Sequence, residues 1–440
     1  MKQSLQFLYQ DTARFTFTEL ATVAVEHNFI SAIEALCKAR QQEYATPYGS
    51  INLLDDAHMF AALEKVVIQK QALQPTVLIV IGIGGSCLGT KAIDQALRSS
   101  FSHLNNGLRL YYAQTVDTDY MIQLVAVVEQ TLQKGQKVLL NVVTKSGTTT
   151  ETIANFQVLL AVLQEYLPTT YQDYVVVTTD KDSVLWSIAQ QEQFALLEIP
   201  KHVGGRYSVF SAVGLFPLMI LSIDAKALLR GAADMLTECL QTDLPKNPAA
   251  LSALINYVHY RNGYAIHDLF LFAVDLEGIG AWWRQLCAES LGKACNIQGH
   301  VINAGITPTV SIGTADLHSV AQLYLGGPRD KFTTFVTIAN NQHEQVVPLL
   351  PQFEKQFSHV QQKSFATLMD ATVEGTKKAY QNNGLPFCSL VFPEKNAYCL
   401  GQFMQMKMIE TIYLAHLMQV NPFDQPQVEL YKQETHKLLR

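Results

Sequence analysis

Residues 144–152 read Thr144-Lys145-Ser146-Gly147-Thr148-Thr149-Thr150-Glu151-Thr152 and follow directly on the apolar run 138–143. Between 144 and 150 lie five hydroxyl side chains, one Lys and one Gly, and a helical apolar pattern then continues to about Leu163. A turn that feeds a helix start presents unpaired backbone N–H groups and the positive end of the helix dipole. With hydroxyls and a cation added, it suits a dianionic phosphate. One capping side chain satisfies a helix start, so capping alone leaves most of these hydroxyls unexplained.

A second turn, Gly82-Ile83-Gly84-Gly85-Ser86-Cys87-Leu88-Gly89, follows the apolar run 77–81. It fails the dinucleotide fingerprint: the third glycine should stand at Cys87, and the next strand ends Tyr112-Ala113-Gln114 without the acidic residue. It fails the Walker pattern too, because Thr90 precedes Lys91. The bland reading is a tight turn with no ligand. Ligand contact is favoured, since ligands of parallel sheets sit at the C-terminal strand ends, and two such turns fall there.

Four further segments carry chemistry-capable groups. Gly204-Gly205-Arg206-Tyr207-Ser208 is a flexible turn with one Arg, equally readable as surface. Glu289 sits beside apolar Leu286, Cys287 and Leu291, where partial desolvation would suit it to general-base work; alone, it reads as a helix-surface Glu. In Asp316-Leu317-His318-Ser319 the Asp could cap a helix and the His could do acid–base work or pack in the core. Asn421-Pro422-Phe423-Asp424-Gln425-Pro426-Gln427 is a turn in which Asp424 is expected to cap the final helix carrying Lys432. No HxxxH or Cys/His cluster offers a metal site, and no GxSxG is present.

Positioning these groups requires an α/β frame. Apolar runs at 77–81, 108–113, 138–143, 174–178 and 195–199 alternate with helical patterns at 88–97, 120–132, 152–166 and 183–190. Five apolar strands separated by helices imply a parallel sheet covered on both faces. A second alternation gives strands at 269–274, 332–338 and 387–391 and helices at 280–291, 365–381 and 396–418. The expected domains are an N-terminal helical segment 1–45, a first α/β domain 46–205, a helical bridge 206–262, a second α/β domain 263–420 and a C-terminal arm 421–440.

The whole chain is consistent with this. Its 440 residues suggest two or three domains, and 48% hydrophobic against 16% charged residues describes a well-packed globular protein. A net charge of −6 argues against a nucleic-acid binder. Seven cysteines without a CxxC pair fit a reduced, cytoplasmic setting. The start lacks a secretory apolar region, and the longest apolar stretch, 209–223, reads as a buried core helix interrupted by Ser211, Pro217 and Ser222.

Taken together, in order from about 80 to 432, these motifs resemble the glucose-6-phosphate isomerase family, closest to its short bacterial form. The resemblance implies two α/β/α sandwich sugar-isomerase domains around parallel sheets, and a cofactor-free, metal-free interconversion of glucose 6-phosphate and fructose 6-phosphate through a cis-enediol. It implies that Thr144, Lys145, Ser146, Thr148 and Thr149 line the phosphate site and that Gly85 and Ser86 contact the sugar phosphate. It further implies that Glu289 shuttles the proton between C2 and C1, Arg206 stabilises the enediolate, His318 and Lys432 help open the ring, and Gln425 lies near the substrate. A homodimer follows, with His318 supplied by the partner subunit. The chain departs from the family pattern at Thr144 (Ser is usual), Cys87, Leu291 and Gln427. Competing expectations are an isomerase for mannose or amino-sugar phosphates, and a non-catalytic sugar-phosphate sensor.

Overall fold

The structure, a computed structural model, describes residues 4–10, 12–98 and 107–439; residues 1–3 and 11 of the expected N-terminal segment and 440 of the expected arm lie outside that set. Contacts within the chain define two compact units, Glu34–Ala233 and Met1–Ile33 with Asp234–Arg440, so the chain crosses between them once inside the stretch 1–45 and once inside 206–262. Among the described residues the strands are β1 Gln6–Leu8, β2 Val77–Ile81, β3 Arg109–Ala113, β4 Val138–Val143, β5 Val175–Thr179, β6 Ala195–Glu198, β7 Ile266–Leu271, β8 Lys293–Cys295, β9 Val301–Ala304, β10 Thr307–Ile312, β11 Lys331–Asn340 and β12 Phe387–Glu394.

In the unit Glu34–Ala233 the sheet order is β3-β2-β4-β5-β6, and every neighbouring pair is parallel. Every residue of β2, β4 and β5 is buried, which is why these runs are continuously apolar rather than alternating. On one face Val77, Ile79, Ile81, Val138, Leu140 and Val142 pack against Leu124, Val128, Phe156, Leu159 and Leu185 from the helices Thr118–Gln133, Thr150–Tyr166 and Val184–Gln191. Each such side chain contributes roughly 1.5–3 kcal/mol on full burial. Two of these helices start on side-chain caps: Asp117 accepts from the Tyr120 amide at 2.8 Å and Ser183 from the Trp186 amide at 3.1 Å. The stretch 209–223 does hold a buried helix, Ala212–Ile220, capped by Ser211 and containing Pro217.

The other unit has a sheet of order β1-β12-β11-β7-β10, parallel except for β1, which pairs antiparallel to β12 at the edge. Phe270, Phe272, Phe335, Phe387, Tyr324 and Tyr380 form an aromatic core on one face. The helix Ala397–Leu417 is buried at every residue except Tyr398 and His416. It packs against the helices Pro248–Arg261 and Glu277–Leu291. Its buried charges are paired: Lys407 Nζ lies 2.7 Å from Glu410 Oε2, and Asn256 donates to Glu410 Oε1 at 3.0 Å.

The α/β class with parallel sheets is borne out. Among the described residues, elements absent from the sequence reading include β1, β10, the β8–β9 hairpin and the helices Ala57–Ala72 and Pro351–Phe357. β1 has three residues; β10 begins Thr-Pro-Thr and is an edge strand paired only with β7, where a proline is tolerated. The helix Ala57–Ala72 buries only Leu63, Val67 and Lys70, too few to mark a helical period. Among the described residues no single helix is long and apolar enough to cross a membrane.

Candidate active site

β2 and β4 are neighbours in the sheet, so the turns that follow them emerge side by side. After β4, the backbone is bent at Gly147, whose φ of +70° is open to glycine and strained for other residues. A Cβ there would also lie 2.8 Å from the Ser183 Cβ. Thr149 occupies the N-cap of the helix Thr150–Tyr166, yet its side chain makes no capping bond. Its hydroxyl instead pairs with the buried Thr144 hydroxyl at 2.8 Å. Ser146 Oγ accepts from the Thr148 amide at 3.3 Å and from the Thr148 hydroxyl at 3.2 Å, and both side chains are exposed. The helix start therefore keeps donors that no side chain caps, ringed by hydroxyls, which is the donor set an oxyanion needs.

Lys145 completes this turn. Burial lowers its pKa below the usual lysine range, while Asp180 acts in the opposite sense. A half-buried ammonium gains from an anion brought beside it, because the anion offsets the lost hydration.

After β2, Gly85 packs directly on a third turn. A Cβ at Gly85 would lie 2.2 Å from the Gly205 carbonyl carbon and 2.6 Å from the Arg206 nitrogen. The structure thus brings Gly85 and Ser86 together with Arg206, which is buried with its guanidinium 5.6 Å from the Tyr207 ring centroid. Cys87, next in line, is buried and its thiol is pushed up to about 12 by burial, so it is a packing group.

In the other unit, Glu289 is half-buried near the end of the helix Glu277–Leu291 and accepts from Gln285 Nε2 at 3.0 Å. The buried Lys293 Nζ donates to the Glu289 carbonyl at 2.7 Å and to the Asp424 carbonyl at 2.7 Å, and pairs with the Asp424 carboxylate at 3.2 Å. That lysine joins the Glu289 helix to the turn that carries the half-buried Gln425. Lys432 lies beyond, on the helix Val428–Leu438, paired with Glu429 at 2.7 Å. His318 is exposed on the turn Ala315–His318, and among the described residues no hydrogen bond or ion pair joins it to Glu289 or Lys432.

Two capping expectations are corrected. Asp316 does not start a helix; it closes its own turn, accepting from the Ile312 amide at 2.6 Å and the Ser319 hydroxyl at 2.7 Å. Asp424 does not cap the final helix, whose N-cap is Gln427 without a side-chain bond; it is held instead by Asn421 at 2.9 Å and by Lys293. In both cases a carboxylate finds a nearer donor than the helix start. Lys293, which closes the motif 289–293, and Thr179 have no role assigned from the sequence, although Thr179 donates to the Thr144 carbonyl at 2.6 Å. Among the described residues no three His, Cys, Asp or Glu side chains are grouped to hold a metal ion.

A chain with two parallel-sheet α/β units and a hydroxyl-rich, uncapped helix start at adjacent strand ends has the fold and donor set of a sugar-phosphate isomerase. The family model described as phosphoglucose isomerase matches residues 69–440. A glucose-6-phosphate isomerase of Rubrobacter xylanophilus is 34% identical over 385 residues, covering 86% of each chain. One of Mycoplasmopsis synoviae is 30% identical over 416 residues, covering 93% of this chain and 94% of that one. Among solved structures, a hypothetical protein of Thermus thermophilus superposes with a TM-score of 0.87 at 31% identity over 99% of both chains. A glucose-6-phosphate isomerase of Chlamydia trachomatis shares the fold, with a TM-score of 0.83 at 21% identity over 99% of this chain and 88% of that one. The chain belongs to the phosphoglucose isomerase family.

Proposed function

We propose that this chain interconverts D-glucose 6-phosphate and D-fructose 6-phosphate without a cofactor, in the cytoplasm, as a step of glycolysis and gluconeogenesis. Family membership supports the reaction. The observation that carries the substrate's anionic end is the diverted Thr149 hydroxyl, which leaves the start of the helix Thr150–Tyr166 without a side-chain cap.

In this reading Thr144, Lys145, Ser146, Thr148 and Thr149 hold the phosphate, with Gly85 and Ser86 beside the sugar. Phosphate contacts remote from the reacting carbons supply binding energy that orients the chain. Once the ring is open, the Glu289 carboxylate takes the weakly acidic proton from C2 of the aldose, leaving a cis-enediolate; O1 gains a proton as O2 gives up its own, and the carboxylate returns its proton to C1, so that C2 becomes the ketose carbonyl. A single carboxylate on one face serves both transfers. Arg206 stabilises the oxyanion, and a preorganised donor of this kind is worth about 3–4 kcal/mol. His318 and Lys432 exchange protons with the ring oxygen and O1, chemistry that suits an imidazole near neutral pH. Gln425 borders the substrate. His318 acts across a homodimer interface, a role compatible with its exposed position on the turn Ala315–His318.

The test is conversion of fructose 6-phosphate to glucose 6-phosphate, coupled to NADPH formation by added glucose-6-phosphate dehydrogenase, in EDTA. Sustained turnover is expected. No turnover, with fructose 6-phosphate still raising Tm, would replace this reading with a sensor or with an isomerase for another sugar phosphate.

A further inference from the structure

Thr179, the last residue of β5, is fully buried. Its hydroxyl lies 2.6 Å from the Thr144 carbonyl oxygen, 3.4 Å from that of Lys145 and 2.9 Å from Ser183 Oγ. The proton directions follow from the chemistry of the groups. A carbonyl only accepts, so Thr179 donates its single proton to Thr144. Ser183 must then donate to Thr179, and its oxygen remains to accept from the Trp186 amide at 3.1 Å. A one-way chain results, running from the Trp186 N–H through the Ser183 and Thr179 hydroxyls to the Thr144 carbonyl.

This chain fixes one peptide plane. In a planar trans peptide the N–H points opposite to the C=O. With the Thr144 carbonyl drawn towards Thr179, the Lys145 N–H is turned away from β5, and it finds no acceptor among the described residues. Ser183 also lies against Gly147, where a Cβ would be 2.9 Å from Ser183 Oγ. The same pair of hydroxyls therefore braces the turn at both ends.

We propose that Thr179, with Ser183 behind it, is a positioning residue for the phosphate: it holds the Thr144–Lys145 peptide so that the Lys145 amide donates to a bound phosphate oxygen. The inference rests on the reading of 144–149 as the phosphate turn. Thr179 touches no substrate atom. Without its hydroxyl the peptide is free to rotate and present the Thr144 carbonyl to the anion, which repels it.

The probe is inorganic phosphate as a competitive inhibitor, measured alongside KM and kcat for fructose 6-phosphate. Thr179→Val, which keeps the shape and loses the proton, should raise Ki for phosphate and KM about tenfold together, the size of one hydrogen bond to a charged group. kcat should stay within about threefold. Thr179→Ser should restore both constants, which a general packing defect would not allow. If Thr179→Val does not fold, Ser183→Ala carries the test, with a shift of about threefold in the same direction because the Thr179–Thr144 bond survives. Unchanged Ki and KM in folded Thr179→Val, or in Ser183→Ala where that variant carries the test, would overturn the proposal. Lys145→Ala and Thr148→Ala separate the two ideas. If they raise Ki and Thr179→Val does not, only the positioning role fails; if they leave Ki unchanged, the phosphate turn itself is wrong.

Discussion

Lys293 Nζ donates to the backbone carbonyl of Asp424 at 2.7 Å, across a sequence separation of 131 residues. The same ammonium donates to the Glu289 carbonyl at 2.7 Å, so one buried cation ties the general-base candidate to the turn carrying Gln425. Lys293→Met keeps the aliphatic volume and removes the donor shared by the Glu289 and Asp424 carbonyls, together with one partner of the Asp424 carboxylate, which keeps Asn421. The cost expected is about 1–3 kcal/mol of stability, read from urea unfolding. kcat/KM should fall about tenfold or more as Glu289 and Gln425 lose their common anchor, while Ki for inorganic phosphate stays unchanged. A kcat/KM at the unmodified level in folded Lys293→Met would show that the clamp serves stability alone.

Gly85 and Gly147 mark places where the turns admit no side chain. Gly85→Ala drives a methyl group to 2.2 Å from the Gly205 carbonyl carbon, so the Arg206 turn must move; a fall in kcat of about a hundredfold is expected. Gly147→Ala adds left-handed strain, at φ +70°, to a 2.8 Å clash with Ser183. It should cost about 1–3 kcal/mol and weaken phosphate inhibition. Gly135→Ala is the control: its φ is +71° but open space surrounds it, so it should lose stability and keep the phosphate Ki. Equal effects of Gly135→Ala and Gly147→Ala on that Ki would remove the turn's geometry from the explanation.

Three buried groups set a pH dependence of stability. His259 and His267 flank the Phe332 ring, at centroid distances of 4.3 and 5.5 Å, and burial lowers their pKa values to about 4 and about 3. A histidine with a depressed folded pKa refuses the proton that the unfolded chain takes up near pH 6.5, so stability is lost as pH falls below that value. Asp268 acts oppositely. Burial raises it to about 6, despite hydroxyl donors from Thr309 at 2.7 Å, Ser311 at 3.0 Å and Tyr324 at 3.0 Å. Its folded form takes up a proton before the unfolded one does, and so offsets part of the acid loss between about pH 6 and pH 4. Asp268→Asn removes that offset. Chemical unfolding between pH 6 and 4.5 should then show a steeper loss than the unmodified chain, by up to about 1.4 kcal/mol per pH unit. An unchanged or shallower slope would mean that folded Asp268 stays ionised over this range and supplies no offset.

The parts of the fold visible in the sequence are those whose physics is local. β2, β4 and β5 are buried on both faces and read as unbroken apolar runs, and the hydroxyl-rich turn after β4 stands out because its composition exceeds any capping need. β10 hides because an edge strand with Thr307, Pro308 and Ser311 lacks that signature. Lys293 and Thr179 hide for a different reason. Their partners lie 131 and 35 residues away, and neither a lysine after a helix nor a threonine ending a strand says which carbonyl it will find. The capping expectations for Asp316 and Asp424 failed for another reason: each carboxylate is taken by donors other than the helix start, Ile312 and Ser319 for the first and Asn421 and Lys293 for the second.

The proton-transfer assignment is tested most directly by Glu289→Gln, which keeps the shape of the side chain and removes the base. Turnover of fructose 6-phosphate in EDTA and the Tm shift produced by the same sugar phosphate should be measured on one preparation. Turnover reduced by about a thousandfold or more, with the Tm shift retained, is expected for loss of a general base that does not hold the substrate. Turnover within tenfold of the unmodified enzyme would contradict the assignment and place the base elsewhere.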